Sequence, residues 1–108
     1  MICVKIHVSI SDGIDRRILS MCDSDLMGKK FEENDCILDL KTYRNFYEGE
    51  KISNEQALET AIEFAREFCN YNIVGKKSIA IISKIIKVEK NSIKKIKGIP
   101  HLQIFKIN

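Results

Sequence analysis

One proline and five glycines in 108 residues are too few for a disordered or low-complexity chain. No apolar run approaches the roughly 18 residues of a helical membrane span. The N-terminus carries neither a basic lead nor a small-residue cleavage site, which predicts a cytoplasmic protein with no membrane contact. The four cysteines, Cys3, Cys22, Cys36 and Cys69, include no pair at zinc-knuckle spacing. In a reducing compartment they are expected as free, buried thiols and not as a disulfide framework. With only two histidines, no metal or other cofactor is expected. No RNA-recognition, K-homology or zinc-finger signature occurs. Acids are scarce in one region. Residues 73–108 carry nine lysines and a single acid, Glu89, whereas residues 1–72 carry nine basic and fourteen acidic side chains. AT-rich codon usage would spread Lys and Ile over both regions but would not strip acids from one, so an acidic and a basic face are expected.

What is present is ordinary for a globular protein: 44% hydrophobic and 31% charged residues. The length predicts one domain, 1–108. Residues 2–10 alternate, with Ile2, Val4, Ile6, Val8 and Ile10 on one side and Cys3, Lys5, His7 and Ser9 on the other, which predicts a half-buried strand. Ser11-Asp12-Gly13 turns it into a returning strand over 16–22. A short helical turn capped by Asp23 or Ser24 ends at Gly28. Residues 36–40 predict a third strand, and 42–52 an aromatic-rich connection. Ser53 with Gln56 forms a capping box opening a helix to about Cys69. Its expected buried stripe is Leu58, Ala61, Ile62, Ala65 and Phe68, opposite a solvated row of Glu55, Glu59, Glu63 and Glu67. Asn70-Tyr71-Asn72 is expected to break this helix, and Gly75 to open a second over roughly 76–87. That segment is so β-branched that only packing can hold it helical. Short strands are expected at 92–96 and 101–107. The predicted class is α+β: a mainly antiparallel sheet of about five strands with two helices packed on one face.

The phrase Asp25-Leu26-Met27-Gly28-Lys29-Lys30 returns as Asn72-Ile73-Val74-Gly75-Lys76-Lys77. Each copy puts a glycine and paired lysines at an expected turn into a helix, where free N–H groups can hold an anion. Gly75-Lys76-Lys77-Ser78 is not a phosphate-binding P-loop. The required upstream glycine falls at Asn70, and Lys77 follows the first lysine where Ser or Thr is needed. Gly98-Ile99-Pro100-His101-Leu102-Gln103 reads as a turn into a strand, sharper if Pro100 is cis. His101 and Gln103 share a face and can read a base or an amide, unless His101 merely hydrogen-bonds a carbonyl of the turn. If the first and last strands pair, His7 joins them. Tyr43, Phe46 and Tyr47 stack on bases if exposed and fill core if not.

Three of these phrases, Cys22-Asp23-x-x-Leu26-Met27-Gly28-Lys29, Asn72 to Ser78, and Gly98 to Gln103, together with the Phe46-Tyr47-Glu48-Gly49-Glu50 connection, give the chain its likeness to one family. From Val4 to Ile107 it resembles the archaeal "domain of unknown function 424" family. Lys76-Lys77-Ser78 departs from the acid-then-arginine form of that family's second phrase. The resemblance implies an archaeal cytoplasmic protein of about one domain, with no established activity and an association with translation.

The leading expectation is a small RNA- or ribonucleoprotein-binding module. Gly28, Lys29, Lys30, Gly75, Lys76, Lys77, Ser78, Lys94, Lys95 and Lys97 would meet phosphates, and Gly98, Pro100, His101 and Gln103 would add local recognition, with RNA or a ribosomal particle as partner. The alternative from another class is a protein–protein adaptor in a translation or RNA-processing complex, using the acidic helix or the aromatic connection. A third reading is an enzyme using Cys22, His101 and Asp23; the sequence assigns no catalytic residue outright.

Overall fold

A computed structural model describes residues 1–66 and 70–105 of the chain. The long hairpin is present as β1 (Ile2–Ser11) and β2 (Ile14–Asp23), antiparallel from Ile2 opposite Asp23 to Ser11 opposite Ile14. Asp12 and Gly13 close it at φ of 53° and 76°. Two positive-φ residues form the turn whose twist suits a two-residue hairpin. A 3-10 turn over Ser24–Leu26 leads to a second, separate hairpin, β3 (Lys30–Glu33) and β4 (Cys36–Asp39). A four-residue helix α1 (Arg44–Tyr47), strand β5 (Glu50–Ile52) and helix α2 (Asn54–Ala65) follow. Then come β6 (Asn70–Val74), helix α3 (Lys76–Ile82), β7 (Ile93–Ile96) and β8 (Ile99–Ile104).

The main sheet has six strands in the order β5-β1-β2-β6-β8-β7. Every neighbouring pair is antiparallel except β2 and β6. The α+β class is as expected. The strand count is higher, one pair is parallel, and the strand expected at 36–40 belongs to the separate hairpin. Helix α2 ends at Ala65, and Asn70-Tyr71-Asn72, expected only to break it, opens β6, a central strand whose Tyr71, Asn72, Ile73 and Val74 are all buried. Local polarity suggested a break; position between two strands made it core.

The sheet is covered on both faces. On one, α2 and α3 close a core in which Ile2, Leu19, Met21, Ile73, Ile82 and Leu102 are fully buried. The capping box forms as expected, with Ser53 Oγ accepting from the Gln56 N–H at 3.1 Å and Gln56 Oε1 accepting from the Ser53 N–H at 3.2 Å. The buried stripe of α2 is Ala57, Ala61 and Phe64, so the helix is turned from the expected face and Ile62 is exposed. Phe68, Glu67 and Cys69 lie outside the described residues. Helix α3 ends at Ile82, short of the expected 87, and the chain continues in turns through Ile86, as β-branched side chains favour. On the other face, the β3–β4 hairpin and α1 bury Cys22, Leu26, Leu38, Leu40, Tyr47, Val74 and Ile96.

Candidate functional site

The two Gly-Lys-Lys phrases follow strands that are parallel neighbours, β2 and β6, so both leave the same end of the sheet. They diverge from there. The first copy enters the β3 strand and not a helix. Gly28 (φ 82°) donates its N–H to Leu40 O at 3.1 Å, and the Leu40 N–H returns to Lys29 O at 2.8 Å. Those bonds use the turn's backbone groups, so the anion seat expected there has no free donors of this kind. Lys30 is exposed and paired with Glu32 at 3.1 Å.

The second copy does open a helix, but its N-terminus already holds an anion. The buried Asp23 carboxylate accepts from the Lys77 N–H at 3.0 Å, the Ser78 N–H at 2.8 Å and the Ser78 hydroxyl at 2.7 Å. Negative charge is favourable at this helix end, so Asp23 acts as a cap supplied from 55 residues away. Gly75 explains why glycine is needed. Its φ is 104°, and a Cβ there would stand 2.3 Å from Asp23 Cγ. The phosphate seat expected at Gly75-Lys76-Lys77-Ser78 is thus filled by the protein's own carboxylate, and Ser78 is fully buried. Lys76, Lys77, Lys94, Lys95 and Lys97 remain exposed and form no ion pair among the described residues.

No peptide bond is cis among the described residues, Pro100 included. Lys97 and Gly98 make the β7–β8 turn at φ of 52° and 77°, and Pro100 O accepts the Gly75 N–H at 2.9 Å. The Lys97 N–H is spent on Glu33 Oε1 at 3.3 Å. His101 and Gln103 do share the face of β8 that looks away from α2 and α3, but only His101 reaches a cleft; Gln103 is exposed. His7 does not join them. Strands β2 and β6 stand between β1 and β8, and His7 instead stacks on Phe46, ring centroids 4.0 Å apart, with Nε2 2.8 Å from Phe46 O.

The cleft, about 540 Å³, opens on this second face. Ile37, Leu38 and Asp39 of β4 form one wall, and Tyr43, Phe46 and Tyr47 form the other. His7 stacking and the edge contact of Phe46 on Tyr47, at 5.0 Å, hold the aromatic wall. Tyr43 is 63% exposed at the mouth. The Thr42 N–H, then the Thr42 hydroxyl and the Lys41 N–H, hold the Asp39 carboxyl below its usual range. The floor is Asn72 and His101. Asn72 Oδ1 accepts from His101 Nε2 at 2.7 Å and from the Tyr47 hydroxyl at 3.3 Å. With its oxygen doubly engaged, the amide is locked and its Nδ2 donors have no partner among the described residues. Burial, then the Lys94 ammonium directly across the β7–β8 ladder, lowers the His101 pKa to about 4. The imidazole is therefore neutral at pH 7, a donor at Nε2 and an acceptor at Nδ1. Lys30 lines the cleft.

From sequence Asn72 stands only at the head of the repeated phrase and in an expected helix break, not among the candidate site residues. Its signal, a single polar residue beside the apolar pair Ile73-Val74, was masked by two asparagines that read as a break. Cys22, Asp23 and His101 do not form a catalytic set. Burial, then Cys3 and Asp23, pushes the Cys22 thiol up to about 12, and Asp23 is committed to capping α3. No group of three or more His, Cys, Asp or Glu arranged to hold a metal occurs among the described residues, and no helix among them is long and apolar enough to cross a membrane.

A family model described as a protein of unknown function (DUF424) matches residues 13–107. The chain belongs to the DUF424 family. Among solved structures, this DUF424 protein is similar to one described as an uncharacterized conserved protein from Methanopyrus kandleri. The TM-score is 0.77 at 21% identity, over 95% of this chain and 89% of that one. At that identity the likeness is one of fold. Among curated proteins, none matches.

Proposed function

We propose that this DUF424 protein is an RNA- or ribonucleoprotein-binding module associated with translation, and that the cleft over Asn72 and His101 receives one unpaired base. The observation that carries the reading is the pairing of an aromatic wall with a fixed polar floor. Tyr43 at the mouth offers a stacking surface open to solvent. The Asn72 Nδ2 donors, without a partner among the described residues, match a base carbonyl, and a neutral His101 keeps the floor uncharged. Lys30 in the cleft and Lys94 beside His101 supply cationic charge for the flanking phosphates. Lys97 stands at the adjoining β7–β8 turn, whereas Lys77 lies between α2 and α3 and Lys95 on the face of β7 away from Lys94. Recognition of single strands by splayed, stacked bases needs these parts and no deep groove.

The test is anisotropy of a labelled, unstructured RNA titrated with protein at several salt concentrations. Affinity falls linearly on a log–log plot against salt, and Tyr43→Ala weakens binding while leaving the slope unchanged. Binding indifferent to both salt and Tyr43 would sink the proposal. The adaptor reading has its own support in the exposed Ile62 beside Glu59 and Glu63 on α2. It requires that Glu59→Lys with Glu63→Lys abolish capture of a protein partner while RNA binding is absent from the wild type.

A further inference from the structure

Strand β5 pairs with β1 only from Ile2 to Val4. Beyond it the outer edge of β1 has no partner among the described residues. Which backbone groups face that edge follows from one bond. The Ser24 N–H donates to Met1 O at 3.0 Å, one step before Ile2 opposite Asp23, so odd-numbered residues of β1 bond toward β2 and even-numbered ones outward. Ile2 and Val4 direct theirs to β5. Those of Ile6, Val8 and Ile10 point to solvent. Their side chains share one face and are 45%, 54% and 74% exposed. The segment has none of the usual edge protection: no proline, no bulge, and no charge from Ile6 to Ile10.

We propose that this edge pairs with the same edge of a second copy, antiparallel about a two-fold axis at Val8. The register is set by the segment itself. Gly49 packs against Val4 O and Lys5 and closes the edge on one side, while the Asp12-Gly13 turn closes it on the other. The free stretch between them is centred on Val8. In that register Val8 faces Val8 of the second copy and Ile6 faces its Ile10, each pair exchanging both backbone bonds. The exposed side chains of the two copies then cover one another on one face. Lys5 then stands opposite Ser11 of the second copy, one residue short of its Asp12, so the ends carry opposite charge. The other face of β1 stays engaged with α1 through His7 and Phe46, leaving the base-binding cleft open in the dimer.

Sedimentation equilibrium of the full chain from micromolar to millimolar concentration tests this, with hydrogen exchange as a residue-level readout. The wild type shows a monomer–dimer equilibrium, and the amides of Ile6, Val8 and Ile10 lose protection on dilution. Val8→Lys puts two ammonium groups face to face without altering the backbone and weakens the dimer at least about tenfold. Val8→Pro removes the central donor and does the same, provided circular dichroism shows that it folds; Val8→Lys decides the matter if it does not. A wild type that is monomeric throughout, or a dimer unaffected by Val8→Lys, overturns the proposal.

Discussion

The two faces of the central sheet are built from the same alternating strands and put to different use. On the α2–α3 face, Leu19, Met21, Ile73 and Leu102 are fully buried among apolar neighbours. On the opposite face the intervening residues include Ser20, Asn72 and His101, and the cover of β4 and α1 leaves a cleft. One face is closed and apolar and holds the molecule together. The other keeps buried polar groups that a purely structural core has no use for, and exposed aromatic surface beside them. Substitutions on the first should therefore change stability without a separate effect on binding, and those at the exposed mouth of the cleft should do the reverse.

The largest expected effect lies on the closed face. Leu19→Ala destabilises by about 2–5 kcal/mol, measured by urea unfolding, and on the proposed reading the fraction that remains folded keeps the wild-type affinity for RNA. Next is the cap that joins the faces. Asp23→Ala strands the Lys77 and Ser78 N–H groups and the Ser78 hydroxyl, and costs about 2–4 kcal/mol. If it costs nothing, the account of Gly75-Lys76-Lys77-Ser78 as a seat already filled is wrong.

On the cleft face, His101 gives stability a pH dependence. Its folded pKa of about 4 lies below the ordinary 6.5, so between these values the unfolded chain binds the extra proton. Stability from this group is complete above pH 6.5 and is lost as pH falls toward 4, by about 3 kcal/mol. His101→Gln removes that component, so the wild-type and variant pH–stability curves differ in slope between pH 6.5 and 4; identical slopes would contradict the buried neutral imidazole. Tyr43→Ala weakens RNA binding by about 1–3 kcal/mol and shifts stability by less than about 0.5 kcal/mol. The smallest effect is the most counterintuitive. Ser20 is fully buried and its hydroxyl has no hydrogen-bond partner among the described residues. Ser20→Ala leaves stability unchanged or raises it by up to about 1 kcal/mol, readable as a shift in the thermal midpoint.

Much of the closed face was legible in the sequence. The β1–β2 alternation, the Ser53–Gln56 capping box and the last two strands rest on neighbours in the chain, and local patterns report them well. The cleft was less so. Tyr43, Lys30 and His101 drew notice for their chemistry, but nothing local says that residues 30–47 fold back over β6 and β8. Asn72 joins Tyr47 across 25 residues and His101 across 29, and Asp23 reaches Ser78 across 55. Paired lysines after a glycine looked like an anion seat in both copies because composition cannot show that one seat is already taken and the other starts a strand. Likewise β6 was hidden because Asn70 and Asn72 are turn formers by propensity and strand residues only by position.

The most direct test of the central claim is an amide-resolved NMR titration of the isotope-labelled protein with a short unstructured RNA. The account predicts saturable shifts of the Asn72 side-chain amide and of the Tyr43, Phe46 and His101 resonances, with smaller shifts at Lys94. Shifts confined to the outer face of α2, or none at all at low salt, would contradict it.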